Sequence, residues 1–286
     1  MLLLVWFILE EKININGSEK IMKYAVIGGA NSGLASASIK ELVNNGFVVF
    51  AGDKSIKEIY IEGNIHYLPL DITNNDSLQN MFNYVSSITD HVDIVSSFAG
   101  IVTLGSFVEK DLDAMSKIID VNLIGTYKLN NIFFTLIEKC KGRFINISSE
   151  YGLIDAMPFH GFYPLSKHAL EVYNDSLRRE LSSLGIKVVI IRPGAFKTSM
   201  QGGIIDQFEN LVTETTHFKK TLLKMKSLMV GELKKAKDPK KFARVYLKAC
   251  LKKRPRKRYN VCNSFLMKLY NICPSFIQDW FFKKVF

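Results

Sequence analysis

Short unbroken apolar runs alternate along the chain with longer stretches whose apolar positions recur three or four residues apart. The runs fall at 24–28, 48–51, 65–69, 94–97, 143–147 and 187–192, with a last short one at 259–261. Each is bounded by turn residues and is too short for a buried helix, so each predicts a strand. They are continuous rather than alternating, as parallel strands covered on both faces should be. Helical spacing occupies 33–45, 76–89, 111–138 and 162–184. Regular alternation of the two predicts an α/β fold: a doubly wound parallel sheet in a single domain. Its crossovers should be right-handed, and its ligand crevice should lie at the carboxyl ends of the strands.

Three stretches fall outside this pattern. Residues 195–237 have helical character and no strand, which predicts a lid segment over the crevice within a main domain at 22–263. Residues 264–286 mix aromatics with lysines, from Phe265 through Trp280, Phe281, Lys283 and Lys284. Such a segment can lie in a membrane interface, or dock over the crevice or a partner subunit. Residues 1–21 open with the apolar run Met1 to Leu9. A bilayer span needs about 20 apolar residues, so this run predicts either a short membrane tether or a functional start at Met22, the reading favoured here.

Composition narrows the class. The 286 residues allow one large α/β domain or two small ones. Hydrophobic residues make up 48% and charged residues 23%, which fits a globular chain with a full core. Cys140, Cys250, Cys262 and Cys273 form no CxxC pair and have no zinc-ligand spacing with histidine. They are expected as reduced thiols in a cytoplasmic compartment, without a metal site. The net charge is +11, and the excess gathers after residue 218, as in Lys252-Lys253-Arg254-Pro255-Arg256-Lys257-Arg258. Attraction to an anionic membrane and a merely solvated face both remain open. No nucleic-acid-binding motif accompanies the charge, so nucleic acid is not an expected partner.

Candidate chemistry sits at two places. The first strand runs into Gly28-Gly29-Ala30-Asn31-Ser32-Gly33-Leu34-Ala35. Glycines there allow a tight turn and let a pyrophosphate approach the following helix N-terminus. The second strand ends at Asp53, about 20 residues further on, where a carboxylate can accept from an adenosine ribose. It would repel a 2′-phosphate, which favours NAD; Lys54 beside it leaves NADP open. The second place is Tyr163 and Lys167, four residues apart and so on one helix face. A fixed cation should lower the pKa of the phenol and make it a proton donor and acceptor near neutrality.

The glycine loop, Asp71 in Leu70-Asp71-Ile72-Thr73, the paired Ser148-Ser149 and Tyr163-xxx-Lys167 stand in order along one α/β pattern. Together they resemble the short-chain dehydrogenase/reductase family, with its Rossmann-type fold, over about residues 23–261. Asn146 through Gly152, then Ser166 through Glu171 and Asp175 through Leu181, are similar to its retinol and hydroxysteroid dehydrogenase branch. The resemblance implies a catalytic set of Asn122, Ser149, Tyr163 and Lys167. Tyr163 would be the acid/base, Ser149 would hold the reacting oxygen, and Lys167 would lower the tyrosine pKa and bind the nicotinamide ribose. Asn122 would position a water for proton relay. Ser148 is the alternative serine. The resemblance also implies cofactor contacts from Gly29, Asn31, Ser32, Gly33, Leu34, Asp53, Asp71, Ile72, Ala99, Gly100, Asn122, Tyr163, Lys167, Pro193, Gly194 and Thr198. Asp71 would meet the adenine and Thr198 the carboxamide side.

Four departures from the family pattern stand out. Ala35 replaces the third loop glycine, and Ser97-Phe98-Ala99-Gly100 replaces Asn-Asn-Ala-Gly. The spacing from Ser149 to Tyr163 is one residue longer than the branch implies. Pro164 follows the tyrosine, which suits a first helical turn. His160 and His168 flank Tyr163 and read as loop or helix-surface residues.

The function expected from these features is NAD(P)-dependent interconversion of an alcohol and a ketone on an apolar body such as a steroid, retinoid or lipid. The lid residues Leu222, Leu223, Met225, Leu228 and Met229 support an apolar substrate, or simply pack as a helix. A cofactor-binding regulator on the same fold is the alternative. A Ser-His-Asp hydrolase is not supported, since Ser32 lacks the GxSxG elbow. The family resemblance implies a homodimer or homotetramer through the long helices, and the tail adds expected peripheral membrane contact.

Overall fold

A computed structural model of the chain describes residues 22–233 and 235–285. The apolar run Met1 to Leu9 and the rest of 1–21 lie outside the described residues, as do the side chains of Leu228 and Met229. Eight strands form one sheet: β1 Lys23–Gly28, β2 Phe47–Asp53, β3 Tyr60–Glu62, β4 Ile65–Pro69, β5 Ile94–Ser97, β6 Arg143–Ile147, β7 Lys187–Pro193 and β8 Arg258–Val261. Their order is β3-β4-β2-β1-β5-β6-β7-β8. All pairs are parallel except β3 with β4. The order reverses at β1, whose neighbours are β2 and β5, so a crevice opens where their ends diverge. In register, Gly28 of β1 faces Gly52 of β2 and Ser97 of β5.

Successive residues of each strand feed opposite faces of the sheet. Ala25, Ile27 and Val49 pack against the helices Gly33–Asn44 and Pro239–Leu251, while Val26, Phe50 and Val95 pack against Asn75–Ile88 and Gly125–Ile132. Burying a side chain of this size stabilises by about 1.5–3 kcal/mol, so the two faces hold the sheet's edge of functional loops in place. A third apolar cluster, including Val102, Ile118, Phe162, Phe208 and Leu222, lies beyond the carboxyl edge.

Two elements differ from the sequence reading. β3 is exposed along all three residues and so carries no apolar signature. It pairs back on β4 through Gly63-Asn64, with Gly63 at φ 56°, and Tyr60 stacks on Tyr67 at 4.5 Å. The expected helix 111–138 is broken into Leu112–Ile119, a π-helical turn Asp120–Ile124, Gly125–Ile132 and Phe134–Cys140. Apolar spacing survives such a slip in hydrogen bonding, so the pattern could not reveal it.

The segment after β7 forms the helices Ser199–Glu214 and Lys219–Leu233. Its base is tied: Lys197 N donates to Lys237 O (2.9 Å) and Lys237 N to Ala195 O (3.0 Å). Gln207 fastens its underside, accepting from Leu104 N at 3.1 Å and donating to Val102 O at 3.0 Å. Leu222 is fully buried there, whereas Leu223 is exposed. The C-terminal helices Phe265–Ile272 and Ser275–Val285 dock over the crevice. Glu150 accepts from Ser264 N at 2.7 Å, and Asp155 binds Asn271 (2.9 Å) and Gln278 (2.8 Å). No helix among the described residues is long and apolar enough to cross a membrane.

Candidate active site

β1 ends in the glycine loop, where Gly29 takes φ +78° and a Cβ would stand 2.4 Å from Ala99 N. Only glycine fits that close approach of two backbones. Ser32 caps the next helix, accepting from Ala35 N at 3.2 Å. The helix therefore presents the positive end of its dipole to the crevice. Gly33 lies against Thr198, whose Cγ2 would be 2.9 Å from a Cβ there, so the loop and the segment after Pro193-Gly194 close on each other. Ala35 is fully buried in the core, and its methyl is accommodated. Phe98 turns its ring to Phe242 (5.9 Å) and Tyr246 (5.2 Å), filling core beside the crevice.

The Asp53 carboxylate holds this loop. It accepts from Asn31 N at 3.0 Å and from Ser55 N and Oγ at 2.9 and 2.6 Å, while Asn31 Nδ2 donates to Ser55 Oγ at 2.5 Å. Lys54 is not a free cation beside it but pairs with Asp71 at 2.7 Å. Burial works to raise the Asp71 pKa, yet Lys54 and two bonds from Thr73 hold it down at about 2. Ile72 is a core residue packed under Gly125 and Gly28. Leu34 and Gly100 line the central cavity, whereas Asp53, Asp71 and Ile72 lie outside its walls. A helix N-terminus in the wall, with a carboxylate at the end of β2, suits a dinucleotide: pyrophosphate on the amides, ribose hydroxyls on Asp53.

Asn122 occupies the π-helical turn, a distortion frequent at functional sites. Its amide is fully buried, accepting from Ile101 N at 2.8 Å and donating to Ile101 O and Ser166 Oγ at 2.9 Å each. Gly100 lies between this amide and Lys167: a Cβ on it would be 3.4 Å from Asn122 Oδ1 and 3.5 Å from Lys167 Nζ.

Tyr163 and Lys167 sit in the first two turns of the helix Phe162–Glu180, with Pro164 in its first turn. Lys167 Nζ donates to Ile147 O at 3.0 Å and stands 5.8 Å from the centre of the Tyr163 ring. The Ser149 hydroxyl lies near enough to the phenol to lower its pKa, and accepts from Tyr151 N at 3.3 Å. Ser148 does not share that role: its buried hydroxyl has no partner among the described residues and faces Gly152. The expected lowering of the tyrosine pKa is not what the site shows. Burial pushes Tyr163 up to about 12, against the lowering influence of Ser149. Burial also pushes Lys167 down to about 8, opposed by Glu171. The expectation weighed the cation and omitted the burial that both groups share.

These groups face a cavity of about 840 Å³. Its walls are mainly apolar, with Leu104, Met157 and Phe159 from the loops after β5 and β6, Met225 from the lid, and Met267 and Phe281 from the C-terminal helices. His160 also lines it, 5.7 Å from the Tyr163 ring and 4.5 Å from Tyr151, centroid to centroid. Burial pushes its imidazole down to about 4. The sequence reading placed His160 in a loop without this inward aim. The preceding Phe159 at φ 63° supplies the turn, and the longer spacing before Tyr163 was the available signal.

The chain matches the family model described as short chain dehydrogenase over residues 23–208. It is 28% identical over 274 residues to 3-amino-tetrahydro-pyrrolizinone reductase of Xenorhabdus hominickii, covering 91% of this chain and 94% of that one. It is 34% identical over 191 residues to 17-beta-hydroxysteroid dehydrogenase type 6 of Rattus norvegicus, covering 62% of this chain and 58% of that one. Among solved structures, a short-chain dehydrogenase from Streptomyces avermitilis shares the fold with a TM-score of 0.71 at 20% identity, covering 92% of this chain and 95% of that one.

Proposed function

The chain belongs to the short-chain dehydrogenase family of NAD(P)-dependent oxidoreductases acting on CH–OH donors, and from that premise we propose that it interconverts a secondary alcohol and a ketone on an apolar body such as a steroid, retinoid or lipid-like molecule. One observation carries the substrate class: the Tyr163 phenol opens into a largely apolar cavity of about 840 Å³. The relative from rat whose name includes hydroxysteroid dehydrogenase agrees with that class.

In this reading a bound nicotinamide supplies the hydride acceptor or donor. Ser149 Oγ holds the substrate oxygen, and Tyr163 gives or takes its proton. A phenol at about 12 is protonated at neutral pH, ready to act as the acid in ketone reduction. In the oxidising direction the adjacent Lys167 ammonium favours the phenolate. Asn122 is a positioning residue, fixing Ile101 and with it Gly100 against Lys167. Gly29, Asn31, Ser32, Gly33 and Leu34 would cradle the pyrophosphate, and Asp53 the adenosine ribose. Pro193, Gly194 and Thr198 would complete the walls, with Ala99 backing Gly29 and Asp71 and Ile72 set outside them. NAD is the preferred cofactor in this reading, because Lys54 is engaged by Asp71.

The lid at 195–237 and the C-terminal helices would admit substrate from a lipid surface. Phe265, Ile272, Phe276 and Trp280 are 60–80% exposed on the outer side of those helices. Lys268, Lys283 and Lys284 flank them, which suits a peripheral contact with anionic lipid. Loss of liposome co-sedimentation on deleting residues 264–286 is the expected result, and unchanged binding would end this part. A homodimer or homotetramer is the expected assembly, checked by light scattering.

The test of activity is nicotinamide absorbance with purified protein, NAD and NADP in parallel, over apolar secondary alcohols and over polyols. Turnover of the apolar panel that disappears in Tyr163→Phe is expected. Turnover confined to polyols would refute the substrate class, and turnover surviving Tyr163→Phe would refute the acid/base assignment.

A further inference from the structure

A second cavity, of about 280 Å³, lies at the amino end of β7, the end opposite Pro193-Gly194. A seven-residue strand spans about 20 Å, so this cavity is well separated from the cofactor crevice. Its walls include Arg178, Lys187, Arg254, Arg256 and Lys257, and no acidic residue lines it. These residues give the hollow a cationic rim with no lining carboxylate, although Arg254, Arg256 and Lys257 also face solvent.

Arg178 gives a second, independent sign. Its side chain is only 19% exposed, and its buried Nε has no hydrogen-bond partner among the described residues. Buried N–H groups are nearly always satisfied, so such a donor marks a missing acceptor. The nearby carboxylate does not supply it. Asp175 lies 3.5 Å from Arg178 Nη2, but it also engages Arg258 and, at 3.8 Å, Arg179. One carboxylate shared by three guanidiniums leaves positive charge in excess.

We propose that this cavity is a binding site for a phosphate-bearing anion, distinct from the cofactor site. Guanidiniums bind phosphate oxygens through paired N–H donors, which suits three arginines in the wall. The volume is about 280 Å³, well above what a single water needs. That admits an inorganic pyrophosphate or a phosphorylated lipid headgroup, and both would present the same chemistry.

The experiment is calorimetric titration of inorganic pyrophosphate into the full chain, with saturating NAD keeping the cofactor crevice filled. One saturable site is expected. Arg254→Gln with Arg256→Gln should weaken it at least about tenfold, the equivalent of one lost charge-assisted hydrogen bond. Arg178→Lys, which keeps the charge and removes Nε, should also weaken it severalfold. Lys252→Gln with Lys253→Gln removes equal charge outside the cavity and should change affinity less than about twofold. A parallel arm uses vesicles with and without phosphatidic acid. Vesicle binding that follows the same variants assigns a headgroup, and pyrophosphate binding without vesicle binding assigns a free anion. Absence of a saturable site, or equal weakening by the arginine and lysine pairs, would overturn the proposal.

Discussion

Glu171 and Arg192 form a bidentate ion pair inside the protein, with Arg192 Nε and Nη2 donating to the two carboxylate oxygens at 2.8 and 2.7 Å. Glu171 stands one helical turn beyond Lys167, and Arg192 directly precedes the Pro193-Gly194 turn. The pair therefore bolts the helix bearing the tyrosine to the strand bearing the cofactor turn. Both side chains are at most 10% exposed. Removing one partner of such a pair leaves a buried charge and costs about 3–5 kcal/mol. Glu171→Gln should lower the stability measured by urea unfolding by about that amount. Glu171→Leu with Arg192→Met should recover most of it, since no buried charge remains.

The same carboxylate raises the Lys167 pKa against the burial that brings it down to about 8. A lysine titrates near 10.4 in an unfolded chain. Between about 8 and 10.4 the unfolded state therefore binds more protons than the native state, and stability rises with pH. Below about 8 both states are protonated, and the contribution is constant. Tyr163, pushed up to about 12, works the other way above pH 10, so the window to watch is pH 8 to 10. The melting temperature of wild type minus that of Lys167→Met should increase across that window. Glu171→Gln should move the start of the rise to lower pH. A flat difference would show that Lys167 is not held in this environment.

Much of this site could be read from the chain because its parts are local. The glycine loop follows a strand in sequence, and Tyr163 and Lys167 share one helix face at fixed spacing. What could not be read depends on distant residues. Tyr163 is buried partly because the lid and the C-terminal helices close a cavity over it, and they arrive well after it in sequence. That closure reverses the expected direction of its pKa. The Lys54–Asp71 pair joins the segments after β2 and β4, so Lys54 looked free in sequence. The turn at Asn122 is a slip in backbone hydrogen bonding that side-chain spacing does not record. β3 was missed because an exposed three-residue strand has no apolar signature, although Gly63-Asn64 offered a hairpin signal.

Cofactor choice should turn on Asp53 and Lys54 together. Asp53 is anchored by Asn31 and Ser55, and in the proposed reading its negative charge would meet the adenosine ribose. Asp53→Ser removes the repulsion of a 2′-phosphate but loosens the glycine loop. Its kcat/KM for NAD should fall, and the ratio for NADP over NAD should rise by at least about tenfold, which corresponds to about 1.4 kcal/mol. Adding Asp71→Asn should release Lys54 and raise that ratio further. Parallel kinetics with both cofactors measure it, and an unchanged ratio would remove Asp53 from the ribose site.

The paired serines should separate cleanly by function. The Ser149 hydroxyl lies close enough to the Tyr163 phenol to lower its pKa, so the two can hold one substrate oxygen between them. Ser149→Ala should lower kcat about 10²–10³-fold, the loss typical of one donor aimed at developing charge. Ser148 is as deeply buried, but its hydroxyl has no partner among the described residues. A buried hydroxyl without a partner carries a desolvation penalty of about 1–3 kcal/mol. Ser148→Ala should therefore leave kcat nearly unchanged and hold or raise the unfolding free energy. The reverse ordering in kcat would assign the chemistry to Ser148, and equal losses would mean that the loop after β6, rather than one hydroxyl, sets the geometry of the tyrosine.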